Sequence, residues 1–176
     1  MSASALRGEA LFTGGRLQCA RCHVPPFFTS AVDHEALDSA DVRFFNNGLY
    51  NIDGEGGYPP LNGGLSTHTG RARDLGLFRA PTLRNIAVTP PYMHDGSLES
   101  LEDVLDHYEA GGRTIESGPF QGIGREHPNK SSFVRGFEAT PEERANLLAF
   151  LDALTDSTSL TDPRFADPWL RSRGRE

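Results

Sequence analysis

The feature that most constrains this chain is the segment Cys19-Ala20-Arg21-Cys22-His23, which holds both of its cysteines. Two thiols three positions apart can add to the two vinyl groups of one porphyrin. The adjacent imidazole then falls beneath the iron as its axial ligand. The segment therefore predicts one covalently attached haem c, with Cys19 and Cys22 as attachment points and His23 as the proximal ligand.

Two other chemistries use a Cys-x-x-Cys pair. A tetrahedral zinc site needs about two further cysteine or histidine ligands. The other histidines show no second pair at finger-like spacing; they are His34, His68, His94, His107 and His127. A thioredoxin-like redox pair belongs in a βαβ unit, and no such pattern is visible. Haem attachment is the favoured interpretation.

Length and charge narrow the class of protein. A chain of 176 residues predicts a single domain over 1–176, with a core at about 5–155 and an extended tail at 156–176. The 19 glycines and 12 prolines indicate long loops, so a buried porphyrin could supply part of the core. A net charge of −7 argues against nucleic-acid binding.

Membrane and export signals are missing from the sequence as given. No apolar run approaches the roughly 18 residues of a membrane span. No basic start followed by an apolar stretch marks a signal peptide. Because haem c is attached outside the cytoplasm, we expect a periplasmic protein, present here as a mature form or a fragment.

Local signals mark three helices. The first runs from Ser2 to Phe12, and the second from Ser97 or Ser100 to Ala110. The third follows an N-cap at Thr140, with a proline at its first position. Residues 36–45 could form helical turns within long loops. The pattern predicts an all-α, class I cytochrome c-like domain with long Gly/Pro-rich loops, in which the first and last helices cross.

The second axial ligand of the iron decides the chemistry. The candidates are Met93, His94, His107 and Tyr108. Tyr108 shares the apolar face of its helix, whereas His107 is turned about 100° away from that face. An inward tyrosine is more often a core residue than a ligand. Spacing alone therefore ranks Met93 ahead of Tyr108 and leaves both open.

Several motifs together resemble one known family, the bacterial dihaem cytochrome c peroxidases with their MauG-like branch. The matching segments are Arg7-Gly8-Glu9-Ala10-Leu11-Phe12, Phe78-Arg79-Ala80-Pro81-Thr82-Leu83-Arg84-Asn85, Pro91-Tyr92-Met93-His94-Asp95-Gly96-Ser97-Leu98, Phe150-Leu151-Asp152-Ala153-Leu154-Thr155 and Leu160-Thr161-Asp162-Pro163. The resemblance covers Arg7 to about Trp169 and is to the C-terminal haem domain of that family.

The resemblance implies a ligand set. In the family, the second ligand lies on the helix after the His-Asp-Gly motif; it is Met in the peroxidases and Tyr in the MauG-like branch. The matching position is Tyr108, which reverses the ranking from spacing and leaves Met93 as the alternative. Backbone carbonyls matching Thr89 and Pro91 would hold a calcium ion, which prefers oxygen ligands.

Two arginines of the family-like segment are candidates for binding the haem propionates. Arg79 and Arg84 could each pair with a carboxylate through two hydrogen bonds. The competing interpretation is that each arginine faces solvent or pins a loop.

One departure from the family limits the function. Family enzymes carry a second Cys-x-x-Cys-His, whose haem reacts with peroxide, and this sequence has only two cysteines. It is therefore either an isolated C-terminal domain or a natural monohaem relative. We favour the first, a domain for electron transfer and storage of oxidising equivalents that turns over peroxide poorly alone. Its partner would be the missing N-terminal haem domain or a redox protein.

Two alternatives for the function stay open. One is a self-sufficient monohaem peroxidase that reacts with hydrogen peroxide, with His94 as the candidate acid/base. The other is a plain electron-carrier cytochrome ligated by Met93.

Overall fold

Helices and very short strands alternate along the chain in the computed structural model, which describes residues 1–31, 42–167 and 169. The helices are α1 (Ala3–Thr13), α2 (Ser66–Thr69), α3 (Leu101–Ala110), α4 (Pro141–Asp152) and α5 (Ser157–Thr161). The strands are β1 (Phe44–Phe45), β2 (Phe78–Arg79), β3 (Thr114–Ile115) and β4 (Gly122–Ile123). Short 3₁₀ turns cover Cys19–Arg21, Ala72–Asp74, Ile86–Val88, Gly124–Glu126 and Pro163–Phe165.

The three predicted helices are confirmed by their caps. The Ser2 hydroxyl accepts a hydrogen bond from the Ala5 amide at 3.1 Å, at the start of α1. Of the two predicted starts for α3, the later is right, because Ser100 is its N-cap. Thr140 forms the predicted capping box with Glu143 at the start of α4. These side chains satisfy amides that have no partner within the helix.

The first helix crosses α4 at a very short distance. A Cβ atom placed on Gly8 would lie 1.9 Å from the Asn146 carbonyl oxygen and 2.7 Å from the Phe150 Cβ atom. The Ser4 hydroxyl donates to the Asn146 side-chain oxygen at 2.6 Å in the same contact. The crossing therefore depends on a residue without a side chain.

The main apolar core lies where α1, α3 and α4 meet the Cys-x-x-Cys-His segment. Its buried members are Phe12, Leu17, Leu105, Leu147, Phe150 and Leu151. Partly buried residues that pack against it include Cys19 and Phe28. The attachment segment therefore rests directly on the helical core, which fixes its position in the fold.

The all-α prediction is wrong. Two antiparallel two-stranded sheets occur: β1 pairs with β2, Phe45 opposite Phe78, and β3 pairs with β4, Thr114 opposite Ile123. Helix accounts for only 36% of the structure. The long loops need partners for their backbone amides and carbonyls, and part of this need is met by pairing with distant loops. The predicted helical turns at 36–45 are wrong at their C-terminal end, because Phe44–Phe45 forms β1. Residues 36–41 lie outside the described part.

The described part of the tail is anchored by one residue. Asn85 lies in the left-handed region, at φ 61°. Its side-chain oxygen accepts from the Asp156 amide at 2.7 Å, and its own amide donates to the Leu154 carbonyl at 3.0 Å. These bonds join the chain after α4 to the Pro-rich segment before α3. No helix in the described ranges is long and apolar enough to cross a membrane.

Candidate functional site

The three residues of the attachment motif lie on one tight turn. Residues Cys19–Arg21 form a 3₁₀ turn, and the amides of Cys22 and His23 both donate to the Cys19 carbonyl, at 3.2 and 3.0 Å. The turn follows Gln18, which adopts a left-handed conformation with φ 63°. The backbone hydrogen bonds of this turn therefore place the two thiols and the imidazole close to one another.

The imidazole of His23 is oriented by two backbone carbonyls. Its Nδ1 atom lies 3.2 Å from the Phe28 oxygen and 3.1 Å from the Pro81 oxygen, so Nδ1 carries the proton and donates. This leaves Nε2 with a free lone pair. Metal-bound histidines are commonly oriented in this way, through their second ring nitrogen. Burial lowers the pKa of His23, which keeps the ring in the neutral form that a metal requires.

Two threonines fasten the segments that carry these carbonyls. The Thr29 hydroxyl donates to the Ala80 oxygen at 2.6 Å, and the Thr82 hydroxyl donates to the Phe27 oxygen at 2.6 Å. The chain after the attachment motif is thereby joined to the Ala80–Thr82 stretch on both sides of Pro81. The ring of His23 is held between two mutually fixed segments.

Both thiols are free and half-buried. Burial raises the pKa of Cys19 to about 11 and, together with the neighbouring Cys19, that of Cys22 to about 12. A reactive redox cysteine needs a lowered pKa, so these thiols lack the activation expected of a thioredoxin-like pair.

Tyr108 on α3 faces the same region. Burial raises the pKa of its phenol to about 12, and a hydrogen bond from the Asn47 side chain opposes that rise. Charge on Cys22 or Cys19 would raise it further, so both thiols lie within electrostatic reach of the phenol. The Tyr108 phenol and the two thiols therefore lie in one region of the fold.

Met93 and His107 also contact Asn47. The Asn47 side-chain amide donates to the Met93 sulfur at 3.2 Å. The His107 ring donates from Nε2 to the Asn47 backbone oxygen at 3.0 Å and packs edge-on against Tyr108, with ring centroids 5.0 Å apart. The sequence predicts that His107 is turned away from the apolar face of α3, and its ring is nevertheless buried, because it packs against the loop at Asn47.

His94 lies among aromatic rings. It stacks on Phe78 with centroids 3.7 Å apart and an interplanar angle of 14°. The next residue, Asp95, accepts a hydrogen bond from the Tyr50 hydroxyl at 2.6 Å. The ring of His94 thus covers strand β2, and its role as an acid/base stays a prediction.

The two arginines have different surroundings. Arg84 donates to the Pro26 carbonyl at 3.3 Å and lies over the Phe27 ring, 5.1 Å from its centroid. Arg79 lies over the Phe44 ring at 5.4 Å. Arg84 therefore pins the loop after the attachment motif, while propionate binding by either arginine stays a prediction.

The expected calcium carbonyls lie on an exposed stretch. Thr89 ends the 3₁₀ turn Ile86–Val88, and its hydroxyl donates to the Ile86 oxygen at 3.2 Å. Pro91 is exposed, whereas the following Tyr92 is buried and donates to Ile86 as well. Among described residues, no group of three or more His, Cys, Asp or Glu side chains could hold a metal ion. Calcium binding through carbonyls stays a prediction.

Sequence reasoning missed the residues that position the ligands. Asn47 lies in the sequence Asn46-Asn47-Gly48, which is typical of a turn rather than of a binding site. Phe28 and Pro81 act through backbone oxygens, which carry no residue-type signal.

Comparison with known proteins gives the family. No family model matches the chain. The chain is 34% identical over 167 residues to methylamine utilization protein MauG of Methylorubrum extorquens, covering 93% of this chain and 38% of that protein. It is 31% identical over 190 residues to cytochrome-c peroxidase IdrP1 of Denitromonas iodatirespirans, covering 95% and 43% respectively.

A solved structure agrees over nearly the whole chain. It is that of a MauG-like protein associated with microbial copper homeostasis, with a TM-score of 0.91 and 46% identity, covering 96% of this chain and 48% of that one. The chain thus spans less than half the length of the relatives it matches. The chain belongs to the bacterial dihaem cytochrome c peroxidase and MauG-like family, whose cofactor is haem c.

Proposed function

We propose that this chain is the C-terminal haem domain of a MauG-like or peroxidase-like dihaem enzyme. Its role is electron transfer and storage of oxidising equivalents for a second haem, located in an N-terminal domain or a redox partner protein. The proposal rests on the family and on the share of the relatives that the chain covers, 38% and 43% for the two curated proteins.

The observation that carries the proposal is the environment of His23. Its Nδ1 atom donates to two carbonyl oxygens, at 3.2 and 3.1 Å, so only Nε2 is left to bind a metal. Hydrogen bonding at Nδ1 also increases the basicity of the ligating nitrogen. Cys19 and Cys22 lie on the same turn and would form the two thioether bonds.

We propose Tyr108 as the second axial ligand. When bound, the haem would supply one-electron redox chemistry, and a tyrosinate is a hard anionic donor that favours its oxidised states. Asn47 supports this role by donating toward the phenol oxygen, which stabilises the deprotonated form. His23 and Tyr108 together would close both axial positions, and this hinders direct attack by peroxide.

The remaining assignments belong to the same proposal. Thr89 and Pro91 would offer carbonyl oxygens to a calcium ion, and Arg79 and Arg84 would pair with the propionates. Residues at about 5–155 would form one haem domain, followed by the tail from 156. The protein would work in the periplasm, where haem c is attached.

A ferric optical and EPR spectrum of the haem-loaded chain tests the ligand set. We expect a tyrosinate pattern that is lost in Tyr108→Phe, because phenylalanine offers no oxygen to the iron. Met93→Leu is the matched variant for the alternative ligand, and it should leave the pattern in place.

An unchanged spectrum in Tyr108→Phe would overturn tyrosine ligation. If the wild type shows the near-infrared charge-transfer band typical of Met-bound haem and Met93→Leu loses it, the carrier-cytochrome alternative would replace tyrosine ligation.

A further inference from the structure

One asparagine side chain contacts both candidate axial ligands. The Asn47 amide donates to the Met93 sulfur at 3.2 Å, and it also donates toward the Tyr108 phenol. An amide nitrogen carries two N–H groups, so both bonds can be made at once. The residue therefore sits between the sulfur and the phenol, with its donor capacity fully used.

The loop that carries Asn47 is held from several directions. The Asn46 side chain, which is fully buried, accepts from the Gly48 amide at 2.8 Å. The Asn46 backbone oxygen accepts from Ser131 at 2.9 Å, and the Gly48 oxygen accepts from Arg113 at 2.9 Å. The backbone on both sides of Asn47 is therefore fixed by parts of the chain remote in sequence.

Helix α3 is tied to the same loop. The buried His107 ring donates to the Asn47 backbone oxygen at 3.0 Å and packs against the Tyr108 ring. Main chain and side chain of Asn47 thus contact two successive residues of α3. A shift of this loop would move the phenol as well.

We infer that Asn47 is a positioning residue: it holds the Tyr108 phenol toward the haem and keeps the Met93 sulfur engaged, so that tyrosine is the bound ligand. This inference rests on the proposed function. The bond to sulfur is the weaker of the two, because a thioether is a poor acceptor.

Binding of added imidazole to the ferric, haem-loaded chain measures how firmly the internal ligand is held. Asn47→Leu keeps the size of the side chain and removes both donors. We expect imidazole to bind about tenfold more tightly, which corresponds to losing one hydrogen bond that holds the internal ligand. The ferric spectrum should shift in parallel.

Three further variants make the result interpretable. Asn47→Gln keeps the N–H donors and should bind imidazole with nearly the wild-type affinity. Asn47→Asp lacks N–H donors, as Asn47→Leu does, and replaces the leucine variant if that variant fails to fold. Asn129→Leu is the matched control, since it removes an amide that donates to the Ala72 carbonyl. It should bind imidazole as the wild type does.

The two proposals fail in different ways. If Tyr108→Phe leaves the ferric spectrum unchanged, the ligand assignment fails and the positioning role with it. If Tyr108→Phe changes the spectrum while Asn47→Leu and Asn47→Asp bind imidazole with wild-type affinity, only the positioning role is overturned.

Discussion

His127 is a buried histidine whose ring is fixed in one tautomer. Its Nδ1 atom accepts from the Asn129 amide at 2.9 Å, so the proton lies on Nε2, which donates to the Gly56 oxygen at 3.1 Å. A second proton on Nδ1 would face an N–H group. Burial lowers the pKa of His127, partly offset by the Gly56 bond and by the charge of Asp53.

We predict that His127 makes the protein less stable in acid. Because its folded-state pKa lies below the ordinary value near 6.5, the unfolded chain binds the proton first as the pH falls. The stability contributed by the neutral ring is present above the ordinary pKa of histidine and is lost as the pH falls toward the lower, folded-state pKa. One proton limits the slope to about 1.4 kcal/mol per pH unit. Denaturant unfolding between pH 7 and pH 5 measures it.

The variant His127→Gln supplies the comparison, since its side-chain amide can donate and accept as the neutral ring does but does not titrate. Its free energy of unfolding should depend less on pH than that of the wild type over this range. Equal pH dependence in the two proteins would show that His127 is not the group responsible.

At the scale of elements, the crossing of α1 and α4 controls the fold around the attachment motif. The aromatic residues Phe12, Phe28 and Phe150 contact one another there, with centroids 5.2 to 6.0 Å apart. Phe12 also lies 6.5 Å from the His23 ring. Helix packing therefore supports the proximal ligand directly.

We predict that Gly8→Ala destabilises the protein by about 1–3 kcal/mol, in spite of the better helix propensity of alanine. The new methyl group would meet the Asn146 backbone oxygen at 1.9 Å, so the helices must separate. Gly15→Ala is the matched control, because nothing lies within 4 Å of a Cβ atom there. Thermal unfolding of the two variants checks this, and equal midpoints would contradict the close crossing.

The elements show what the sequence could predict. Helices α1, α3 and α4 could be predicted because Ser2, Ser100 and Thr140 are local capping signals. Strands β1 and β2 could not, because each has only two residues and therefore no periodicity. Their pairing joins segments far apart in the chain, which no local pattern reports.

The residues of the candidate site likewise divide into those with a sequence signal and those without one. Cys19, Cys22 and His23 could be proposed as haem-attachment residues because that chemistry requires those residue types at that spacing. The carbonyl oxygens that orient His23 could not, since any residue offers one. Asn47 was missed because its sequence neighbourhood is that of a turn, and its contacts with Met93 and Tyr108 exist only in the folded chain.

On the scale of the whole molecule, two separate supports converge on one site. The α1 and α4 pair holds the attachment turn, while α3 and the loop at Asn47 hold the tyrosine. The chain covers 48% of the MauG-like structure that it matches at a TM-score of 0.91. If His23 and Tyr108 both hold the haem iron, as proposed, the haem would be suited to passing electrons and poorly suited to reacting with peroxide directly.

We therefore predict that the haem-loaded chain alone consumes hydrogen peroxide slowly, and that Tyr108→Phe accelerates it. If the phenol occupies the iron for about nine-tenths of the time, removing it raises the reactive fraction about tenfold. Peroxide consumption at fixed haem concentration measures the rate. Tyr92→Phe is the matched control, because it removes a phenol that donates to the Ile86 carbonyl at 3.0 Å. A wild-type rate as fast as that of Tyr108→Phe would instead favour a self-sufficient peroxidase, and His94→Gln would then test the acid/base role of that imidazole.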